Sequence, residues 1–150
     1  MQGVEPLILN RLARRDYTIT SQMEAGVVLL GQEVKSLRAK HADITKSFVK
    51  ILNGEVFLVN ANIQQFDFTP GKTYDPTRSR KLLLHSRQIT ELDELLHNSR
   101  MTAVPLMIGT SHNHLKVLIG IGKGKRQYER KEELKQRDLK RETERATRRK

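Results

Sequence analysis

At 150 residues the chain suits one folded domain with an appendage, and its lack of cysteine excludes disulfides and thiolate metal sites and makes the cytosol the default compartment. A formal net charge of +11 and a pI near 10.2 point to a polyanionic partner. The opening residues have no basic lead before Leu7, Ile8 and Leu9, too little for a signal peptide, and nothing later approaches the roughly 20 apolar residues of a membrane span.

In chain order, residues 1–9 read as an N-terminal extension. Next come Arg11, Arg14 and Arg15 with the amide of Asn10, just ahead of the first strand, where basic side chains can reach phosphates. Residues 17–23 alternate as a half-buried strand does, and residues 27–30 form a short apolar run between Gly26 and Gly31 that reads as a second strand. Val34 and Leu37, three apart, predict a short helix after Gly31 that ends near Ala39. Two apolar runs flank Asn53-Gly54, the dipeptide that supplies both positive φ angles of a type I′ turn, so residues 48–59 are a hairpin. The stretch 64–80, with Pro70, Gly71 and Pro76, reads as a surface loop. Residues 81–85 then form a strand that leads to Ser86, a suitable N-cap for a helix whose Ile89, Leu92, Leu95 and Leu96 share one face over the sheet. Residues 102–109 and 116–121 are apolar strands joined at residues 111–114, where Asn113 tolerates a left-handed conformation. About six short strands and two helices with no βαβ rhythm predict a mainly β fold. The best match is an antiparallel barrel of the oligonucleotide-binding kind spanning residues 10–122.

Residues 123–150 are the most concentrated electrostatic element, with 13 Lys or Arg against 6 Asp or Glu. Tyr128, Leu134 and Leu139 are too few to offset the entropy of ordering 28 residues, so this tail is expected to be disordered when free. The pairs Glu133 with Arg137 and Glu144 with Arg148 favour helix once a partner is present, and Arg137, Arg141 and Arg145 would then form a stripe suited to a phosphate backbone. An anionic membrane fits less well, because the tail lacks a bulky apolar face.

Signs of catalysis are few. His112 and His114 flank a turn without further metal ligands nearby, Glu33 and Lys35 face apart on their helix, and Gly120, Gly122 and Gly124 lead from a strand into basic sequence rather than into a helix around a phosphate. The chain therefore reads as a binding protein rather than an enzyme, with no cofactor, metal or small-molecule substrate. Lys123, Lys125 and Arg126 offer phosphate contacts beside Tyr128, whose ring could stack on an unpaired base.

Four long segments in order resemble the SsrA-binding protein (small protein B) family: Asn10-Arg-Leu-Ala through Tyr17, Glu24-Ala-Gly-Val-Val-Leu-Leu-Gly-Gln-Glu-Val-Lys-Ser-Leu-Arg38, Asp75-Pro-Thr-Arg-Ser-Arg-Lys-Leu-Leu-Leu-His85 and Gly122-Lys-Gly-Lys-Arg-Gln-Tyr128. The resemblance implies a barrel with peripheral helices that binds the tRNA-like domain of transfer-messenger RNA and delivers it to stalled ribosomes for trans-translation, one copy per complex. It also implies that the tail becomes a helix in the empty messenger channel. By position, Asn10, Arg11, Arg15, Glu24, Leu83 and Lys116 fall where the family contacts or supports the RNA, with Glu24 suited to accept from base amino or imino groups and Leu83 reading as a core residue beneath the platform. Tyr128 falls where the family stacks a ring in the decoding centre, followed by Arg130, Lys131, Lys135 and Arg137 along the channel. Lys40 stands where the family usually has glycine, so a different end to the first long helix is expected. A generic single-stranded nucleic-acid binder is the alternative, but it would show stacking aromatics, and this chain is 5% aromatic. A nuclease comes third.

Overall fold

The computed structural model describes residues 4–66 and 73–125, together with Arg137 and Arg141. In chain order the elements are β1 (Glu5–Leu9), α1 (Ala13–Asp16), β2 (Tyr17–Val27), α2 (Gly31–Arg38), β3 (Ala42–Asp43), β4 (Phe48–Leu52), β5 (Glu55–Val59), β6 (Asn62–Ile63), β7 (Arg80–Leu83), α3 (Ser86–His97), β8 (Thr102–Ser111) and β9 (His114–Gly124). Six strands hydrogen-bond in the order β8-β4-β5-β7-β2-β9, and β9 returns to β8. All these pairings are antiparallel. This closed ring is the architecture expected from the sequence, and closure removes the free edges that invite aggregation. Residues 5–9, expected as an extension, form a strand on β8 just outside the ring.

Alternation along the strands fills the ring. Val49, Val56, Leu58, Leu82, Ile108, Val117, Ile119 and Ile121 point inward and are buried, and Leu37 of α2 and Leu92 of α3 join the same core. The hairpin turns are as expected: Asn53 and Gly54 have φ of 52° and 76°, and His112 and Asn113 have φ of 51° and 65°.

Three boundaries depart from the expectation. Gly26 does not break β2, because it lies in register between Leu83 of β7 and Lys116 of β9 as an interior strand residue. The strand expected at 27–30 ends at Val27: Leu30 caps α2, and Val28 and Leu30 are left about half exposed. His85, not Ser86, caps α3, its N–H donating 3.0 Å to Gln88 Oε1.

The helix α2 ends near Ala39, as expected, with Ala39 as its C-cap, and Lys40 follows in the position where the family usually has glycine. Lys40 has φ of 63°; its N–H donates to Leu37 O at 3.0 Å, and the His41 N–H donates to Ser36 O at 2.8 Å. This is the Schellman ending a glycine would make, here formed by lysine at a cost of about 1–2 kcal/mol.

On the outer face of β8 and β9, the segment 10–17 folds back to form a second small core. It comprises Ala13, Val104, Leu106 and Leu118, flanked by Tyr17, Ile19 and Met107. The approach is close: a Cβ on Gly122 would sit 1.9 Å from Thr18 O. Gly122→Ala is therefore expected to force β2 and β9 apart and to cost about 1–3 kcal/mol, measured as a lower urea midpoint.

Candidate nucleic-acid interface

Two adjoining clefts open on the outside of the ring. The first, about 510 Å³, is lined by Glu24, Gly26, Leu83, Leu84, His85, Gln88 and Lys116. Register explains the grouping. Gly26 is flanked by Leu83 and Lys116 on neighbouring strands, and Glu24 lies two residues along β2 on the same face. Leu83 is 52% exposed and so is not the core residue expected. On β7 the inward positions go to Arg80 and Leu82, and the same alternation turns Lys81 and Leu83 outward.

The second cleft, about 280 Å³, is lined by Leu9, Asn10, Arg11, Arg14, Leu106, Met107 and Leu118. Leu118 faces Glu24 in the β2–β9 register and lies two residues from Lys116, so the two clefts meet along β9. Arg11 and Arg14 are exposed, while Glu24 and Lys116 are half-buried. Three cations and one carboxylate thus line a single surface, able to meet phosphates and to accept from base N–H groups.

Other expected site residues are placed differently. Asn10 is buried: its amide donates 2.8 Å to Pro105 O and 3.3 Å to Ile44 O, and its Oδ1 accepts from the Leu12 N–H. It fixes the turn that presents Arg11 and Arg14. Arg15 lies outside both clefts, with its Nε 3.0 Å from Asp16 Oδ1. Lys123 is an exposed residue near the end of β9, so the ring extends two residues beyond the expected boundary at 122. The Lys125 N–H donates 2.8 Å to Asp16 O. Arg137 and Arg141 are helical and exposed. Arg126, Tyr128, Arg130, Lys131 and Lys135 lie outside the described residues, as does the rest of the expected tail helix.

Sequence reasoning missed a buried charge cluster. Glu33 Oε2 accepts from Arg80 Nε at 2.9 Å and Nη2 at 2.6 Å, and from Arg78 Nε at 3.1 Å; its Oε1 accepts from Arg78 Nη2 and from the Leu30 N–H at 2.8 Å. Arg80 also donates to Ala61 O at 2.6 Å, to Pro76 O at 3.0 Å and to the Tyr74 hydroxyl at 3.0 Å. Glu33 and Arg80 are fully buried. Two arginines of a segment that reads as a surface loop are thus structural, tying the 74–80 loop to α2 and setting the start of β7. His85 and Gln88 also line the first cleft unannounced; the one sequence signal was Gln88 at the third position after a helix cap.

Among the described residues no three His, Asp or Glu side chains are grouped to hold a metal, and no helix is long and apolar enough to cross a membrane.

A closed antiparallel ring with a basic outer cleft places the chain among small barrels of the oligonucleotide-binding kind. A family model described as SmpB protein matches residues 7–149. The SsrA-binding protein of Halalkalibacterium halodurans is 45% identical over 137 residues, 91% of this chain and 89% of that one. That of Bacillus pumilus is 45% identical over 139 residues, 93% of this chain and 89% of that one. A chain in the solved structure "tmRNA-SmpB: a journey to the center of the bacterial ribosome" superposes with a TM-score of 0.68 at 40% identity, covering 85% of this chain and 94% of that one. The chain belongs to the SmpB protein family.

Proposed function

We propose that this chain binds the tRNA-like domain of transfer-messenger RNA and delivers it to stalled ribosomes, acting in the cytoplasm as a binding protein and not as a catalyst. The observation that carries this reading is the pair of adjoining clefts, one holding Glu24 and Lys116 beside the exposed Leu83, the other holding Arg11 and Arg14. The names of the relatives and of the superposed complex support it. Guanidinium and ammonium groups give affinity for the backbone, and the carboxylate adds selectivity, because it repels phosphate unless base donors meet it.

The test is competition between the tRNA-like domain and an unrelated hairpin at physiological salt, since phosphate contacts alone bind tightly at low ionic strength. Arg11→Ala is expected to weaken binding about tenfold and to lower the slope of log affinity against log salt by about 0.7–0.9. Glu24→Ala should weaken binding comparably but leave the slope unchanged, because a carboxylate releases no counterions from RNA. Equal affinity of the wild-type chain for both RNAs would overturn the reading.

A further inference from the structure

The outward face of β4, β5 and β7 departs from the polar exterior usual for an antiparallel sheet with one solvated side. Phe48 and Leu52 of β4 are 40% and 52% exposed, while the alternate position Val49 is buried. On β5, Phe57 and Val59 are half-buried between buried Val56 and Leu58. The register places Lys50 opposite Phe57, and Phe57 opposite Lys81, so a lysine stands on each side of the Phe57 ring. Phe48 lies opposite Val59 on the same face. The carboxylate of Glu55 is 3.5 Å from Lys81 Nζ, an exposed pair of little energetic consequence.

Exposed apolar side chains in a contiguous group mark a surface that meets a partner. Two observations identify this one. Phenyl rings interleaved with ammonium groups at cross-strand spacing suit unpaired bases with their phosphates alongside, in a chain of net charge +11. The face is also continuous with the Glu24 cleft, because Lys81 and Leu83 are two apart on β7 and both point outward.

We propose that the Phe48, Lys50, Phe57 and Lys81 face is a stacking platform for unpaired bases of transfer-messenger RNA, extending the path of the RNA held in the Glu24 cleft. This rests on the reading of that cleft as the RNA site. Phe48, the more exposed ring, takes a base, and Lys50 and Lys81 take the flanking phosphates.

The full chain carrying a benzophenone side chain in place of Phe48 is bound to whole transfer-messenger RNA, with and without ribosomes, and irradiated. The expected product is a crosslink to an unpaired nucleotide of that RNA in both cases. Binding is measured alongside: Phe48→Ala should weaken affinity about tenfold, Phe48→Tyr should retain it, and Phe48→Leu, which keeps apolar area but loses the ring, should behave like alanine. Lys50→Gln should lower the salt slope by about 0.7–0.9. Crosslinks confined to ribosomal RNA, to a ribosomal protein or to the chain's own tail overturn the proposal, as does a Phe48→Ala chain that binds like wild type while preferring the tRNA-like domain. Loss of that preference in the wild-type chain would instead sink the reading of the cleft.

Discussion

Replacing Arg80 with methionine is expected to lower stability by about 3–5 kcal/mol, read from the urea midpoint, because it breaks a buried ion pair on one side only. Methionine spans much of the same space but returns none of the donors to Glu33, Ala61 O, Pro76 O or the Tyr74 hydroxyl. Glu33 keeps Arg78, which is 30% exposed, and the Leu30 N–H. A Glu33→Leu, Arg80→Met double variant should lose less than the sum of its single variants, because no buried charge is then left unmatched and Arg78 can turn to water. Burial pushes the Glu33 carboxyl up, but hydrogen bonds from Arg78, from the Leu30 N–H and from Arg80, with the Arg80 charge, outweigh it and hold the group below its ordinary value of 4.5. Its folded value is therefore depressed. The stability it contributes is complete above 4.5 and is lost as pH falls through the lower folded value. In Arg80→Met two of the lowering influences, the Arg80 hydrogen bond and its charge, are gone, so Glu33 is less depressed and its share of the acid loss, which still sets in near 4.5, should be smaller and end at a higher pH than in the wild-type chain. Urea midpoints taken between about pH 3 and pH 7 check this. The effect reaches the cleft, because Arg80 opens the strand that presents Leu83 three residues later.

The ring was legible because local signals governed it. Asn53-Gly54 and His112-Asn113 both make tight turns with two left-handed residues, and each fixes the register of a hairpin that forms part of the wall. The helix at residues 31–38 and the apolar face of α3 were likewise local patterns. What failed depended on partners distant in sequence. Gly26 looked like a break until the register showed strands on both sides of it. Leu83 looked like core because five consecutive residues, 80–84, include three leucines, and only the burial of Arg80 fixes the phase of the alternation. A buried arginine is rare enough that no sequence rule would place it inward, yet Glu33, 47 residues away, makes it stable there.

For the site, residue types were legible and roles were not. Arg11, Arg14, Glu24 and Lys116 do gather on one side of the ring, as a shared surface requires. Asn10 instead uses its amide to hold the turn beneath the arginines, and Arg78 and Arg80 of a basic segment are engaged in structure. Charge in the sequence locates a polyanion partner, but only packing tells which cations remain to meet it.

Deleting residues 129–150 is expected to leave affinity for the tRNA-like domain close to that of the full chain while abolishing tagging on stalled ribosomes, and Tyr128→Ala with Arg130→Ala should reproduce the defect. The clefts proposed for RNA are lined by residues 9–118, so the platform does not draw on the tail. The tail has a different chemistry, 13 Lys or Arg against 6 Asp or Glu with no Gly or Pro beyond Gly124. Arg137 and Arg141, both helical and exposed, are one turn apart and share a face, as a rod laid along a phosphate-lined channel requires. Equilibrium binding to the tRNA-like domain and single-round tagging on ribosomes stalled without a stop codon measure the two steps separately. A truncated chain that tags at the normal rate would reduce the tail to a nonspecific electrostatic aid. A truncated chain that loses affinity for the isolated domain would mean that platform and tail form one site. Intact binding with no tagging is the outcome that a folded platform and a separate channel-binding helix require.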